Sequence, residues 1–184
     1  PDRHIDGEVN LIFVTIRSSD PANLIPKVIG AMKCIDFEDL HVDIVIGPAM
    51  YNIDEIIGLI KEVDFEVSLI FNVTDMSELM LRADLAVSAG GGTLYELAVT
   101  GTPAIVLLQV DNQIPVAEAM EEEGTIINMG FGNRLRIENL ADNIVDLMDD
   151  HDKRVIMSRR GKELIDGLGA KRCVDVILNR QKEC

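Results

Sequence analysis

Short apolar runs alternate with helical segments along almost the whole chain, and this alternation strongly constrains the fold. The runs are rich in β-branched residues and lie at 9–16, 42–46, 66–71, 85–88 and 103–108, with a shorter one at 125–128. A run without polar alternation is typical of a strand buried on both faces of a parallel sheet. Because helices separate the strands, the pattern predicts a three-layer, Rossmann-like α/β domain with a six-stranded parallel sheet.

The chain is predicted to form a single domain, with a polar leader at 1–8 and C-terminal helices at 137–184. Its 184 residues fall within the usual size of one domain. No linker-like shift in composition, repeat or low-complexity tract interrupts the alternation. Asp20-Pro21, and Asn52 with Glu55, are residue types typical of helix starts, so we expect helices to begin at these two places.

The charge balance restricts the ligands that the chain can bind. Lys and Arg number 17 against 32 for Asp and Glu, which gives a formal net charge of −15. A field of this sign repels a phosphate backbone, so we expect no general binding of nucleic acid. A compact anionic ligand remains compatible, because backbone amides and helix N-termini bind phosphate without a basic patch.

Two further patterns concern the cellular compartment. No apolar run approaches the roughly 20 residues of a membrane-spanning helix, so no transmembrane segment is predicted. Cys34, Cys173 and Cys184 form no CxxC pattern and are odd in number, which favours reduced thiols over a disulfide framework. Together these patterns predict a cytoplasmic protein.

Three consecutive glycines join the fourth predicted strand to the helix that begins at Thr93. Gly90, Gly91 and Gly92 allow the backbone to approach a ligand without interference from side chains. In a parallel sheet, ligands bind beside the carboxyl ends of the strands, where this loop lies. The amides of the loop and of the first helical turn are therefore predicted to bind a diphosphate, assisted by the helix dipole.

Thr93 and Glu96 allow two interpretations. Their T-x-x-E spacing is that of a capping box, which needs no ligand. Alternatively, the carboxylate of Glu96 accepts hydrogen bonds from both hydroxyls of a ribose, which a neutral side chain cannot do in the same way. A glutamate turned toward ribose is not free to cap, so the two roles are only partly compatible.

Two other loops on the same edge carry candidate ligand groups. Asp111, Asn112 and Gln113 follow the fifth strand. Either Asp111 or Asn112 simply caps the next helix, or all three residues contact the hydroxyls of a sugar, which need both donors and acceptors. Val73 follows the third strand, where its backbone is placed to meet the edge of a base.

Other nucleotide and metal sites are poorly supported. Gly90 and Gly92 begin a G-x-G-x-x-G pattern, but Tyr95 stands at the third glycine and the loop follows the fourth strand instead of the first. No lysine follows the glycines as in a Walker A loop, and the three histidines are scattered. We therefore expect no NAD site, no metal site and no cofactor.

These segments together resemble the C-terminal, nucleotide-binding domain of GT-B enzymes of the glycosyltransferase family 28 type. The stretch DMSELMLRADLAVSAGGGTLYEL is similar to the family pattern D-M-x-E-L-M-x-x-A-D-L-x-I-x-A-G-G-x-T-x-x-E. GTPAIVL is similar to its G-x-P-x-I strand entry, and DNQ to its D-N-Q loop. The resemblance extends from Val9 to about Leu178. It is strongest to the UDP-sugar hydrolase of pseudaminic-acid biosynthesis and to spore-coat polysaccharide proteins.

The resemblance implies a UDP-sugar as the ligand. Carried over by position, residues 90–93 would hold the diphosphate and Glu96 the ribose. The backbone of Val73 would bind uracil, while Asn112 and Gln113 would lie near the sugar or the phosphates.

The first loop departs from the family pattern. The family usually reads G-G-T-D-P there, whereas Ser18-Ser19-Asp20-Pro21 follows Arg17 in this chain. Losing the glycine pair narrows the room for a ligand beside Ser18 and Ser19, which are still expected to contact it. Our hypothesis is that Arg17 offsets this loss by contacting phosphate.

Because the family takes most catalytic groups from an N-terminal domain, the resemblance leaves the reaction open. No segment of this chain resembles the glycine-rich loop that carries the hydrolase's catalytic histidine, so no catalytic residue is assigned. We expect half an enzyme, either an excised fragment or a subunit that pairs with a separate N-terminal half or another copy. Hydrolysis and glycosyl transfer both remain open. The alternatives are a non-catalytic nucleotide-binding or assembly module and a relative of UDP-sugar 2-epimerases.

Overall fold

The computed structural model describes residues 3–36 and 39–182. The predictions for the first two and last two positions of the chain, Cys184 included, lie outside these residues. The strands are β1 (Leu11–Thr15), β2 (His41–Ile46), β3 (Glu66–Phe71), β4 (Leu85–Ala89), β5 (Ala104–Leu108) and β6 (Ile126–Phe131). The helices are α1 (Leu24–Met32), α2 (Ile53–Ile60), α3 (Met76–Arg82), α4 (Thr93–Thr100), α5 (Ile114–Glu122), α6 (Ile137–Asp149), α7 (His151–Leu164) and α8 (Gly169–Lys182).

The six strands form one parallel sheet in the order β3-β2-β1-β4-β5-β6. This confirms the predicted Rossmann-like α/β architecture with a six-stranded parallel sheet. All carboxyl ends of the strands lie on one edge of the sheet, the carboxyl edge, and all amino ends lie on the opposite amino edge. The chain order reverses between β1 and β4, and ligands of open α/β sheets bind at such a switch point. The loops after β1 and β4 are therefore neighbours at the centre of the carboxyl edge.

Apolar side chains cover the sheet on both faces. Ile12 and Val14 of β1 point into the core with α1, α2 and α6, while Phe13 between them points into the core with α3, α4 and α5. All three side chains are fully buried. This pattern explains why the strand sequences are apolar throughout, since successive residues of a strand face opposite sides.

Two predicted helix starts are built differently from the expectation. Helix α1 begins at Leu24, three residues after Pro21, because the backbone turns through Asn23 at a φ of 53°. The buried carboxylate of Asp20 nevertheless caps α1 by accepting the amides of Leu24 and Ile25, each at 2.8 Å. Helix α2 follows Asn52 as expected, but no side chain caps it.

The leader is not a loose polar segment where the structure describes it. Arg154 of α7 is fully buried and donates to the carbonyls of Asp6 at 2.9 Å and Gly7 at 2.7 Å. It also donates to the last turn of α6, at the carbonyls of Leu147 and Met148. These bonds tie the leader to the helices on the amino edge.

A second arginine fixes the beginning of the chain. Arg3 donates to the carbonyl of Met80 and to the hydroxyl of Thr102, both at 2.9 Å, and to the carbonyl of Ala83. Burial lowers the pKa of Arg3, and the nearby carboxylate of Asp84 opposes this shift.

Among the described residues, no helix is both long and apolar enough to cross a bilayer.

Candidate nucleotide-binding site

The three glycines after β4 differ in whether the fold requires glycine at their position. A Cβ on Gly90 would lie 2.9 Å from the side chain of Gln113 and 3.0 Å from that of Leu108. Gly91 has a φ of 119°, which L side chains rarely adopt. Gly92 has a helical φ of −57°, and a Cβ there would meet no atom within 4 Å. The fold therefore requires glycine at the first two positions but not at Gly92.

Gln113 fixes the position of the glycine loop. Its amide donates to the carbonyl of Gly90 at 2.7 Å, and its side-chain oxygen accepts the backbone amide of Gln109 at 2.7 Å. The same oxygen lies 3.4 Å from the amide of Val110. Only 2% of Gln113 is exposed. The side-chain oxygen of Gln113 and one of its N–H groups therefore join the loops after β4 and β5, and only the other N–H remains for a sugar contact.

Glu96 lies in the first turn of α4 with its carboxylate exposed. The capping-box alternative is not formed, because the helix is capped by Gly92 and no side chain accepts a capping hydrogen bond. Thr93, now the first helical residue, is half-buried beside it. The structure records no hydrogen bond or ion pair of the Glu96 carboxylate with any described residue. That carboxylate is therefore free to accept hydrogen bonds from a ligand.

Asp111 and Asn112 begin a short 3₁₀ turn, Asp111–Gln113, that leads into α5. Neither Asp111 nor Asn112 caps this turn or α5, so the simple capping role considered for them is not used. The amide of Val110 at the start of the turn donates to the side chain of Gln113 instead. The side chains of Asp111 and Asn112 are both exposed, and the structure shows neither bonded to a described residue. They stand beside the glycine loop because β4 and β5 are neighbouring strands.

Val73 follows β3, which lies three strands away from β4 in the sheet. The helices that follow these two strands, α3 and α4, are nevertheless neighbours. Helix α3, which follows Val73, packs against α4 on the same face of the sheet. Its cap is Asp75, whose carboxylate accepts the amide of Ser77 at 2.9 Å and its hydroxyl at 2.6 Å. These bonds hold the pKa of Asp75 below its ordinary value. The crossing of α3 thus brings the Val73 loop toward the N-terminus of α4.

The loop after β1 supplies Arg17, Ser18 and Ser19 to the same edge. The hydroxyls of Ser18 and Ser19 have no recorded partner, and the carbonyl of Ser18 accepts the amide of Ala49 at 2.9 Å. Arg17 has a φ of 108°, and its guanidinium lies over Gly91. The structure therefore brings the loops with all the predicted binding residues to one edge, together with Arg17, whose phosphate contact was a hypothesis from the sequence.

The carboxyl edge also exposes large apolar side chains. Tyr51 is 71% exposed in the loop after β2, Phe71 is 50% exposed at the end of β3, and Val110 is 44% exposed after β5. Tyr95, beside Glu96 in α4, is 45% exposed. An apolar edge of this kind is typical of a surface that another domain or subunit covers.

In the described part of the chain, no group of three or more His, Cys, Asp or Glu is placed to hold a metal ion.

The sheet order and the glycine loop define the class of protein, a Rossmann-like α/β half of the type found in GT-B glycosyltransferases. Residues 11–172 match the model of the glycosyltransferase family 28 C-terminal domain. The chain belongs to this family.

Relatives and solved structures agree with this assignment. The chain is 30% identical over 167 residues to the spore coat polysaccharide biosynthesis protein SpsG of Bacillus subtilis, a match that covers 90% of this chain and 49% of that protein. The crystal structure of Acinetobacter baumannii MurG superposes with a TM-score of 0.81 at 17% identity, covering 94% of this chain and 50% of MurG. A Listeria monocytogenes structure described as a UDP-N-acetylglucosamine 2-epimerase superposes with a TM-score of 0.72 at 20% identity, covering 97% of this chain and 47% of that one. The chain therefore spans about half the length of these proteins.

Proposed function

We propose that this chain binds the UDP part of a UDP-sugar at the carboxyl edge, as the donor half of a UDP-sugar hydrolase or glycosyltransferase. By the family assignment and the similarity to the Bacillus subtilis protein, the pathway would be surface polysaccharide or nonulosonic-acid biosynthesis. One observation carries the proposal. Next to a helix N-terminus, Gly92 leaves open space that the fold does not need, and the neighbouring Glu96 has a carboxylate without a recorded partner.

The positions of the loops suggest how the ligand lies. The diphosphate rests on the amides of 90–93, where the dipole of α4 favours negative charge. The ribose lies on Glu96, one turn into α4, and the base reaches the backbone of Val73 at the start of the neighbouring helix. The sugar extends the other way, toward Asp111 and Asn112. Gln113 holds the loop in place and contributes at most its remaining N–H to the ligand.

This arrangement fits the chemistry of breaking a bond between sugar and diphosphate. Negative charge builds on the leaving diphosphate, and preorganised amides at a helix N-terminus stabilise such charge without reorganising. A water nucleophile would give a free sugar, whereas an acceptor hydroxyl would give a glycoside. The groups that decide between them are proposed to come from another domain or subunit.

A separate N-terminal half is the proposed partner. The exposed apolar side chains around the site, from Tyr51 to Val110, form one surface for it. Helix α8 offers a second one, because four large apolar residues along it are all more than half exposed: Val174, Val176, Ile177 and Leu178. A second copy of this chain is the alternative occupant. The non-catalytic module and the 2-epimerase relative would use the same nucleotide site, and the likeness to the epimerase structure concerns the fold alone.

Calorimetric titration of UDP, TDP and GDP into the chain tests this proposal. We expect UDP to bind in preference to the other two, and Glu96→Ala to weaken it about ten- to hundredfold. The loss of a hydrogen bond to a charged group costs about 1.5–3 kcal/mol, which gives this range. Glu138→Ala is the matched control, because Glu138 is an exposed glutamate in the first turn of α6.

Each result has a definite meaning. UDP-selective binding that collapses in Glu96→Ala but persists in Glu138→Ala would support a donor domain. Equal losses in both variants would point to a general effect of the substitutions on the fold, not to a ribose contact. If the folded chain binds none of the three nucleotides, the proposal for this chain fails and the assembly module becomes the better explanation.

A further inference from the structure

Arg17 adopts a backbone conformation that ordinarily belongs to glycine. It directly follows the buried Ile16 after β1 and has a φ of 108°, inside the region that L side chains rarely adopt. Such a conformation costs free energy and persists only where the surrounding structure imposes it. Strained residues of this kind cluster at functional sites, so the side chain of Arg17 is a candidate for a function.

The neighbouring loop holds this conformation in place. A Cβ on Gly47, after β2, would lie 2.5 Å from the carbonyl oxygen of Arg17 and 2.5 Å from the Cα of Ser18. Ala49 donates its amide to the carbonyl of Ser18 at 2.9 Å. The two loops are thus in close backbone contact, which holds the backbone at Arg17, where the side chain begins.

The side chain of Arg17 extends to the glycine loop of the neighbouring strand. Its Nη1 atom lies 3.8 Å from the position of a Cβ on Gly91. Arg17 is exposed, and the structure records no hydrogen bond or ion pair for it with any described residue. By contrast, the terminal guanidinium nitrogens of Arg3 and Arg154 donate to backbone carbonyls on the amino edge. A guanidinium is thus placed over the glycine loop without a counter-charge from the described part of the chain.

We propose that Arg17 binds the diphosphate of the ligand from the side opposite to the glycine-loop amides. The inference rests on the proposed function and deepens it. A guanidinium forms two parallel hydrogen bonds to phosphate oxygens, so it orients the group as well as attracting it. In a chain with a net charge of −15, it also supplies local positive charge where an anion must enter. The phosphates are then held across the switch point, between β1 and β4.

Arg17→Gly separates this function from a role in the fold. Glycine adopts a φ of 108° without strain, so we expect the midpoint of thermal unfolding to stay the same or rise. UDP affinity is expected to fall about ten- to hundredfold, as for the loss of a charged hydrogen-bond partner. The affinity for uridine, measured by ligand-observed NMR, should remain unchanged. The UDP affinity of Arg17→Lys should lie between those of the wild type and Arg17→Gly. Lysine keeps the positive charge but cannot form the two parallel hydrogen bonds of a guanidinium.

Asp39→Gly is the matched control. Asp39 is also an exposed non-glycine residue with a positive φ, 61°, but it precedes β2 on the amino edge. The control likewise replaces an exposed non-glycine residue of positive φ by glycine, and it should leave UDP affinity unchanged. UDP binding that is equally tight in Arg17→Gly would overturn the inference about Arg17 and leave the nucleotide site intact. An equal loss of uridine and UDP would also overturn it, since Arg17 would then only shape the loop. No UDP binding by the wild-type chain would overturn the proposed function together with this inference.

Discussion

The two edges of the sheet differ in whether their charged side chains are bonded within the fold. On the amino edge, Arg154 is fully buried and Arg3 is half-buried, and each donates to at least two backbone carbonyls. On the carboxyl edge, Arg17 and Glu96 are exposed and have no recorded partner. Both edges belong to the same sheet, so the difference is not a general property of the fold.

This difference teaches where the chain gains stability and where it keeps binding capacity. A buried polar group stabilises a fold through the hydrogen bonds that it makes, and on the amino edge the terminal guanidinium nitrogens of both arginines make them, although each Nε is buried without a recorded partner among the described residues. The carboxyl edge leaves charged groups open and tolerates a strained residue, which is typical of functional sites. Substitution of the arginines on the amino edge should therefore change folding, and substitution of Arg17 or Glu96 on the carboxyl edge should change ligand binding.

The largest effect is expected for Arg154→Met. Methionine fills part of the space but leaves the carbonyls of Asp6, Gly7 and Leu147 without their donor. We expect the free energy of unfolding to fall by about 3 kcal/mol or more, measured by urea denaturation. UDP affinity of the protein that remains folded should not change.

Arg159→Met on the same helix is the control for this substitution. Arg159 is exposed and only pairs with Glu163 at 3.9 Å along the helix, so a change within about 0.5 kcal/mol is expected. Equal destabilisation by the two variants would remove the contrast between the edges, because burial of Arg154 would then have no special effect.

The glycine loop allows the contrast to be tested within three residues. Gly90→Ala forces a Cβ to within 2.9 Å of Gln113, and we expect a loss of about 1–3 kcal/mol in stability. Gly92→Ala has no such contact, so stability should be unchanged or rise by about 0.4–1 kcal/mol. Its methyl group nevertheless enters the space proposed for the diphosphate, and UDP affinity should fall at least about tenfold.

Gly58→Ala is the control for Gly92→Ala. Gly58 is an exposed helical glycine in α2 where a Cβ also meets no atom within 4 Å. It should show the same small gain in stability without any change in UDP affinity. If Gly92→Ala binds UDP as tightly as the wild type, the open space at this position is not used by the ligand.

The sequence predicted the framework well because the framework depends on local patterns. β3 begins and ends at the residues of the apolar run at 66–71, and α2 follows Asn52 as its residue type indicated. The parallel order follows from the alternation of strands with helices, and the residues that carry the family resemblance lie on the loops of one edge. The contacts of these residues with a ligand stay predictions.

The features that the sequence did not predict depend on contacts between distant segments. Arg154 lies in a polar helix that resembles a solvated one, and its burial requires the leader, which is almost 150 residues away in the chain. Gln113 was expected to contact a sugar, yet its 3₁₀ turn directs the amide toward Gly90. Only the loss of the family's glycine pair signalled Arg17, because a left-handed φ leaves no other mark on the sequence.

The smallest effect tests a polar group of the carboxyl edge that the fold does use. Asp75 caps α3, and its hydrogen bonds from Ser77 lower its pKa. A lowered pKa in the folded state means that the cap contributes stability above the ordinary aspartate range and loses it as the pH falls through the lowered pKa. Asn caps helices about as well as Asp but does not titrate, so Asp75→Asn should remove this pH dependence while leaving the neutral-pH structure intact.

Amide hydrogen exchange at Ser77 and Glu78 measures this directly between about pH 3 and pH 6, around the ordinary pKa of aspartate. Protection in the wild type should decrease toward the acid end beyond the intrinsic exchange trend, and Asp75→Asn should lack this extra decrease. Asp166→Asn is the control, because Asp166 also has a lowered pKa but pairs with Arg172 before α8. An unchanged pH profile in Asp75→Asn would show that the Asp75 cap does not hold the start of α3. The difference between the two edges would then be larger than proposed, because none of the charged groups tested on the carboxyl edge would have a structural role.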